Sequence, residues 1–148
     1  MKKYVSIDIG GTAIKYGLIG ADGMMIHRGE TPTEAEKGGP SILKKAITIT
    51  QRYCEEHKIS GICISTAGIV DTKRGAIQHS APLIPKYTGI CFKDTMEQRF
   101  FVPCEVENDV NCAGLAEYLT GAGKESDPML MLTIGTGIGG CLVTGGHV

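Results

Sequence analysis

Two glycine-rich turns in this chain have the composition of phosphate-binding loops. The first is Gly10-Gly11-Thr12 and the second is Gly135-Thr136-Gly137, and each lies between two apolar, strand-like runs. Glycine has no side chain to cover the backbone N–H groups, so a glycine turn between strands can present those donors to an anion. Two such turns in one chain predict a site that holds a nucleotide.

Two carboxylates occupy positions near these turns that suit phosphate chemistry. Asp8 precedes the first turn, at the end of a run in which apolar and polar residues alternate, which predicts a strand that carries Asp8 to its carboxyl end. Asp109 follows Asn108 between the two turns and is a candidate base. The pair Asn108-Asp109 is also a typical helix N-cap, and the two interpretations are compatible.

Two familiar nucleotide motifs fit this sequence poorly. Gly135, Gly137 and Gly140 satisfy the spacing of a dinucleotide-binding fingerprint, but a short strand-like run follows them where that motif needs a helix. The segment 118–125 resembles a P-loop, but Tyr118 replaces its first glycine and Glu125 replaces its hydroxyl residue. We therefore expect neither a Rossmann site nor a P-loop.

The order of predicted elements indicates the fold that positions these residues. Three strands joined by tight turns come first, then helices alternate with strands, and a final hairpin spans the second glycine turn. The predicted strands are 4–9, 13–19, 24–30, 62–65, 104–107, 129–134 and 138–143, and the predicted helices are 41–58, 92–100 and 108–119. Residues 67–91 are predicted to be rich in loops. Antiparallel opening hairpins followed by strand–helix alternation predict an α/β, ribonuclease-H-like (actin-like ATPase) mixed sheet with flanking helices.

Composition excludes several functional classes. The chain has 148 residues, enough for one domain with a real core, and a formal net charge of −1, which does not favour nucleic acid as a partner. No apolar run approaches the length of a membrane span. Six scattered cysteines without a CxxC pair indicate reduced thiols and a cytoplasmic location.

Three segments in register resemble consecutive motifs of the ROK family of bacterial sugar kinases and related repressors. They are Asp8-Ile9-Gly10-Gly11-Thr12-Ala13-Ile14-Lys15, the segment from Glu107 to Glu117, and the segment from Leu132 to Gly140. The resemblance extends over the whole chain. It implies ATP-dependent phosphorylation of a hydroxyl on a hexose or hexose derivative, with ATP and magnesium as cofactors.

The resemblance also implies a role for individual residues. Asp109 would be the catalytic base and Asp8 would hold magnesium, through water. The ATP phosphates would contact Gly10, Gly11, Thr12, Lys15, Gly135, Thr136 and Gly137, and the sugar would contact Asn108, Ala67 and Gly68. Lys15 could equally be an ordinary outward strand residue, and Ala67-Gly68 could equally be a plain turn.

Family members are about twice as long as this chain, so the resemblance implies an incomplete amino-terminal part. Residues 1–121 would form the amino-terminal lobe and residues 122–148 the first hairpin of a second lobe. The family's structural zinc site would lie outside this chain, the complete protein would be a homodimer, and the isolated fragment would be inactive. A non-catalytic sugar-sensing regulator is the alternative, although the family's repressors carry a DNA-binding domain ahead of a first strand that here begins at Tyr4.

Departures from the family pattern leave the substrate open. In the loop 81–89, kinases of the family often carry an asparagine and a tryptophan, whereas this chain has Leu83 and Tyr87. Ala67 stands where many relatives have proline. The loss of a polar partner for a sugar hydroxyl makes plain glucose less secure as the substrate and keeps a phosphorylated glucoside or an N-acyl hexosamine in consideration.

Overall fold

The computed structural model describes residues 1–135 and 137–148, and Thr136 lies outside the described residues. In this part of the chain, strands and helices alternate after three opening strands. The strands are β1 (Lys3–Ile9), β2 (Ala13–Gly20), β3 (Met25–Pro32), β4 (Gly61–Thr66), β5 (Ile69–Asp71), β6 (Ala76–His79), β7 (Cys104–Asn108), β8 (Met129–Ile134) and β9 (Ile138–Val143), and the helices are α1 (Gly39–Glu56), α2 (Phe92–Phe100) and α3 (Asp109–Thr120), with a short 3₁₀ turn at Ala35–Lys37.

The main sheet is mixed, as the sequence predicted. Its strand order is β3-β2-β1-β4-β7, with β1, β2 and β3 antiparallel and β1 parallel to β4. Alternation along β1 sends Val5, Ile7 and Ile9 into the core while Asp8 stays exposed on the opposite face. The predicted fold class is therefore confirmed.

Helices α1 and α2 contribute to the core on one face of this sheet. Helix α1 has a proline in its first turn, where no intrahelical donor is needed, and it buries Ile42, Ala46, Ile49 and Tyr53 at helical spacing. Helix α2 adds Phe92 and Met96 to the same core. Burial of this apolar face fixes the strands that carry the candidate site. No helix among the described residues is long and apolar enough to cross a membrane.

The segment 67–91 is more structured than the sequence predicted. Strands β5 and β6 form an antiparallel hairpin within it, and Gly75 has a φ of 58° between them. The hairpin was missed because strands of three and four residues are too short for alternation to be recognised. The prediction of a loop-rich segment therefore lacked this hairpin.

The cysteines are all free thiols. Cys104 has no exposed surface, and burial, assisted by Glu97, raises its pKa to about 12. The Cys104 side chain therefore stays a neutral thiol at physiological pH and packs as a small apolar group.

The chain divides into two compact units, residues 1–107 and 108–148. In the second unit α3 lies against the β8–β9 hairpin, and a side chain at Gly114 would be 2.3 Å from Cys141 Sγ, so glycine permits this close approach. The sequence-based boundary between 121 and 122 assigned α3 to the first lobe; in contacts α3 groups with the hairpin. The assignment of these segments to lobes of a larger protein stays a prediction.

Candidate functional site

Thr33 holds the first glycine turn from behind. The Thr33 hydroxyl donates to Gly10 O at 2.6 Å, and the Thr33 N–H donates to Thr12 O at 2.8 Å. Gly10 N–H donates to Ala13 O at 3.1 Å within the turn. Two carbonyls of the turn therefore accept hydrogen bonds from the protein and do not face a ligand.

The remaining N–H groups of this turn are available. Gly11 and Thr12 are exposed, and within the described part of the chain their N–H groups have no hydrogen-bond acceptor. Adjacent free N–H groups on a fixed turn form a concave donor site for an anion. The Gly10 N–H, which the sequence also assigned to phosphate, is already used by Ala13 O.

Three glycines have no structural requirement for glycine within the described residues. A Cβ added at Gly11, Gly135 or Gly137 would meet nothing within 4 Å, and none of the three has a positive φ. A glycine that a turn or a close contact requires shows a positive φ or a neighbouring atom close to the added Cβ. Gly68 shows both, with a φ of 103° and His79 O at 2.8 Å from the added Cβ. Open space on both glycine turns is what close approach of a ligand to the backbone requires.

Asp8 and Lys15 lie side by side next to the first turn. They are paired in the antiparallel ladder of β1 and β2, so their side chains share one face. Asp8 Oδ1 accepts a hydrogen bond from Ser65 Oγ at 2.8 Å, and both residues line a cavity of about 600 Å³ with Arg28 and Glu30 of β3. The structure is thus compatible with both interpretations of Lys15, a phosphate contact or an ordinary outward strand residue, because this exposed residue lies beside the first glycine turn.

The donor set near Asp8 suits magnesium better than a metal with a complete protein cage. Among the described residues no group of three His, Cys, Asp or Glu side chains could hold a metal ion. Magnesium keeps several waters and binds through one or two carboxylates together with substrate phosphates. Asp8, exposed beside a turn with free N–H donors, fits that mode of binding.

Ala67 and Gly68 lie at the same edge of the first unit as the Gly10 turn. Ile9 pairs with Thr66 in the parallel ladder of β1 and β4, so both strands deliver their carboxyl ends there. Ligands of open α/β sheets bind outside the carboxyl ends of strands. The positive φ of Gly68 gives this residue a role in the turn, and its predicted contact with sugar stays a prediction.

A buried hydrogen bond joins this edge to the loop 81–89. Thr66 Oγ1 and Tyr87 Oη are 2.5 Å apart, and the Tyr87 ring stacks edge-on against Phe92. Gly39 N–H also donates to Pro85 O at 2.8 Å. The second half of the loop is therefore fixed, whereas Leu83 is 81% exposed.

Asn108 and Asp109 are held together at the start of α3. Asn108 Oδ1 is the N-cap, accepting from Val110 N at 2.9 Å and Asn111 N at 3.2 Å. Asn108 Nδ2 donates to Asp109 Oδ1 at 3.0 Å, and Val110 N–H donates to the same oxygen at 3.0 Å. The cap predicted for the pair is thus supplied by Asn108, and Asp109 is the first helical residue.

This arrangement orients Asp109. Both hydrogen bonds fix its Oδ1, while Oδ2 has no hydrogen-bond partner among the described residues. Asp109 lies at the N-terminal, positive end of the α3 dipole. The free oxygen can accept a proton or a hydrogen bond from a hydroxyl group.

The second glycine turn joins β8 to β9 as predicted. Gly135 N–H donates to Gly137 O at 2.9 Å, so that N–H is engaged within the turn. The predicted phosphate contact of Thr136 lies outside the described residues. Gly135 and Gly137 are both exposed.

Sequence reasoning did not find Thr33, Thr66 or Tyr87 as supports of the candidate site. Thr33 follows Pro32, a position that reads as the end of a strand, and its contact with Gly10 joins residues 23 positions apart. Tyr87 was noted only as a departure from the family pattern. Burial of a threonine hydroxyl, the signal that marks both threonines, requires the three-dimensional structure.

Solved structures share this fold. A ROK family glucokinase from Streptomyces griseus, solved with glucose and AMPPNP, superimposes with a TM-score of 0.83 and 32% identity over 97% of this chain and 45% of its own. A ROK family transcriptional regulator, a homologue of an Escherichia coli protein, matches with a TM-score of 0.84 at 19% identity over 98% of this chain and 37% of its own, which shows the fold alone. The mixed sheet, its flanking helices and the match to the glucokinase structure show that this chain has the actin-like ATPase fold.

The chain belongs to the ROK family, whose model matches residues 4–148. An uncharacterized protein of Clostridium perfringens is 51% identical over all of this chain and 50% of its own length. Glucokinase of Halalkalibacterium halodurans is 33% identical over 98% of this chain and 45% of its length, and β-glucoside kinase of Listeria monocytogenes is 33% identical over 99% and 48%. The chain spans about half the length of the curated relatives it matches.

Proposed function

We propose that the complete protein carrying this chain is an ATP-dependent kinase that phosphorylates a hydroxyl group of a hexose or hexose derivative. The observation that carries this proposal is the first glycine turn, whose exposed Gly11 and Thr12 N–H groups lie beside the Asp8 carboxylate. Relatives that include glucokinases and β-glucoside kinases support the sugar as acceptor.

The mechanism asks for positioning and charge neutralisation more than for covalent chemistry. Phosphoryl transfer has a loose transition state with charge on the equatorial oxygens. The free N–H donors of Gly11 and Thr12 would bind those oxygens, and Asp8 would hold a hydrated magnesium ion that neutralises charge on the phosphates. The predicted phosphate contact of Gly137 is part of the same proposal.

Asp109 would orient the attacking hydroxyl. Its free Oδ2 accepts the hydroxyl hydrogen, while Asn108 keeps Oδ1 fixed through its side-chain amide. A weak base suffices, because the hydroxyl loses its proton late in a loose transition state. The contacts of sugar with Asn108, Ala67 and Gly68 are part of the same proposal.

The partners of this kinase would be a sugar and ATP. We expect it to act in the cytoplasm, to form a homodimer when complete, and to require neither nucleic acid nor a membrane. The exposed Leu83 and the absence of tryptophan from these 148 residues keep a phosphorylated glucoside or an N-acyl hexosamine beside glucose as candidate substrates.

Sugar-dependent release of ADP by the complete protein tests this function. We expect turnover with at least one sugar in a panel of hexoses, N-acyl hexosamines and phosphorylated glucosides, at a rate that depends on magnesium. Absence of turnover across the whole panel would contradict the kinase proposal. Sugar binding without ADP release would favour the alternative, a non-catalytic sugar-sensing regulator.

A further inference from the structure

Buried threonines stand out in the described part of the chain. The buried polar side chains there are three threonines without exposed surface, Thr33, Thr50 and Thr66. A buried hydroxyl without a partner is destabilising, so each should have an acceptor. Thr50 donates within helix α1, to Ala46 O at 3.0 Å, and so serves the helix itself. Thr33 instead donates to a residue 23 positions earlier.

The two hydrogen bonds of Thr33 act on both ends of the first glycine turn. The hydroxyl binds Gly10 O at 2.6 Å and the N–H binds Thr12 O at 2.8 Å. Peptide planes are rigid, so fixing the carbonyl of Gly10 also fixes the N–H of Gly11, which belongs to the same plane. In a trans peptide the N–H points opposite to the carbonyl, and Gly11 N–H is therefore directed away from Thr33.

Thr33 is itself anchored from helix α1. Lys45 Nζ donates to Thr33 O at 3.1 Å and to Pro32 O at 2.6 Å, and it also pairs with Glu34 Oε2 at 2.5 Å. The backbone on both sides of Thr33 is thus tied to the helix that forms the core. A connection runs from Lys45 of α1 through Thr33 to the carbonyl of Gly10.

We infer that Thr33 is a positioning residue for phosphate binding, which keeps the free N–H group of Gly11 aimed at the nucleotide and fixes the peptide planes on both sides of the one that contains the Thr12 N–H. This inference rests on the proposed function, because it takes the ligand of the turn to be a phosphate group of ATP. Thr33 does not touch the nucleotide; it lowers the loss of conformational freedom that binding would otherwise require.

The test compares two isosteric substitutions in the complete protein. Thr33→Val removes the hydroxyl behind the turn, and Thr50→Val removes an equally buried hydroxyl within α1. We expect Thr33→Val to weaken AMPPNP–magnesium binding and raise the KM for ATP by roughly tenfold, as loss of one buried hydrogen bond allows. The KM for sugar should change less than twofold. Thr50→Val should leave both constants unchanged even if it lowers the melting temperature, and Thr33→Ser should restore the KM for ATP.

Hydrogen exchange separates this inference from the proposed function. We expect the Gly10 amide, which donates to Ala13 O within the turn, to exchange faster in Thr33→Val than in Thr50→Val, without any nucleotide present. An active kinase in which Thr33→Val leaves the KM for ATP unchanged would overturn the inference and leave the function standing. A wild-type protein that neither binds AMPPNP nor phosphorylates any sugar would overturn both.

Discussion

The carboxylate of Asp109 has the geometry of a group that orients a hydroxyl. One of its oxygens is fixed by Asn108 and by the backbone of Val110, and the other is free among the described residues. If Asp109 capped the helix, its free oxygen would accept from a backbone N–H of α3, but Asn108 already caps that helix. Helix capping is thus the role of Asn108, and the proposed chemistry is the role of Asp109.

Asp109→Asn therefore tests chemistry with little change in structure. The asparagine can still accept from Asn108 and Val110 through its amide oxygen, so sugar binding should be nearly intact. We expect kcat for sugar phosphorylation by the complete protein to fall about 10²- to 10⁴-fold, the usual contribution of a positioned acid–base group. Steady-state kinetics with sugar and ATP varied separately measures this.

Asn108→Ala is the contrasting variant. It removes the N-cap, which should lower stability by about 1 kcal/mol. It should mainly raise the KM for sugar, because the Val110 N–H still holds Asp109 Oδ1. A kcat near that of wild type for Asp109→Asn would contradict the role of Asp109 as the base.

Glycine at position 11 should matter for ligand binding and not for folding. The site of an added Cβ is open and the φ is not positive, so Gly11→Ala should leave the melting temperature nearly unchanged. The added methyl group would stand where we place the phosphate, and we expect the KM for ATP to rise about tenfold or more. Thermal unfolding and ATP kinetics measure the two effects.

Gly17→Ala gives the opposite pattern and serves as the control. An added Cβ there would lie 2.7 Å from both His27 O and Met25 Sδ, so we expect a loss of stability of about 1–3 kcal/mol. Gly17 also borders the cavity beside Asp8, so stability is the quantity compared. A Gly11→Ala variant that unfolds as readily as Gly17→Ala would show that Gly11 serves the fold.

At the scale of elements, the sequence predicted the strands and turns whose formation depends on residues close together in the chain. Strand β1 and the β8–β9 hairpin were predictable because apolar periodicity and glycine turns mark their ends in the sequence. The β5–β6 hairpin was not, because such short strands depend on their neighbours for stability. The supports of the site, such as the Thr66–Tyr87 hydrogen bond, join distant positions and have no local signature.

The junction between β3 and α1 has a pH-dependent contact. Hydrogen bonds from Lys37 and then Lys45 lower the pKa of Glu34 from 4.5 to about 2. The folded state thus favours the carboxylate, and this contribution to stability is complete above pH 4.5 and is lost as the pH falls towards 2. We expect the free energy of unfolding of Glu34→Gln to depend less on pH between 4.5 and 2 than that of wild type.

Urea unfolding at a series of pH values measures this difference. Because Glu34 and Lys37 are open to solvent, we expect the difference between the two pH profiles to shrink in high salt. Glu36→Gln removes the same charge two residues away and is the control. Equal pH profiles for wild type and Glu34→Gln at low salt would contradict the prediction.

At the scale of the whole molecule, the two faces of the β8–β9 hairpin differ in how well they are covered, and we expect this difference to control whether the chain self-associates. Met129, Met131 and Cys141 lie on the half-buried or buried face, in the unit that contains α3. Alternation along β8 places both methionines on this face. Leucines and isoleucines occupy the other face, with exposures of 58–84%: Leu130, Leu132, Ile134, Ile138 and Leu142.

We expect the 148-residue chain, expressed by itself, to self-associate through this apolar face or to leave residues 124–148 poorly ordered, and to have no sugar kinase activity. A continuous exposed aliphatic surface favours association because burial removes it from water. Sedimentation velocity over a range of protein concentrations should show species larger than a monomer, and hydrogen exchange should report order in the hairpin.

Two leucine substitutions in the second unit make the test specific. Leu132→Lys places a charge on the apolar face and should shift the chain to monomer, since burying an unpaired charge opposes association. Leu119→Lys changes a leucine of similar exposure on α3, 63% against 61%, and should associate like wild type. If the wild-type chain is a concentration-independent monomer with an ordered hairpin, or phosphorylates sugar as a monomer, the apolar face does not need the covering that we assign to it.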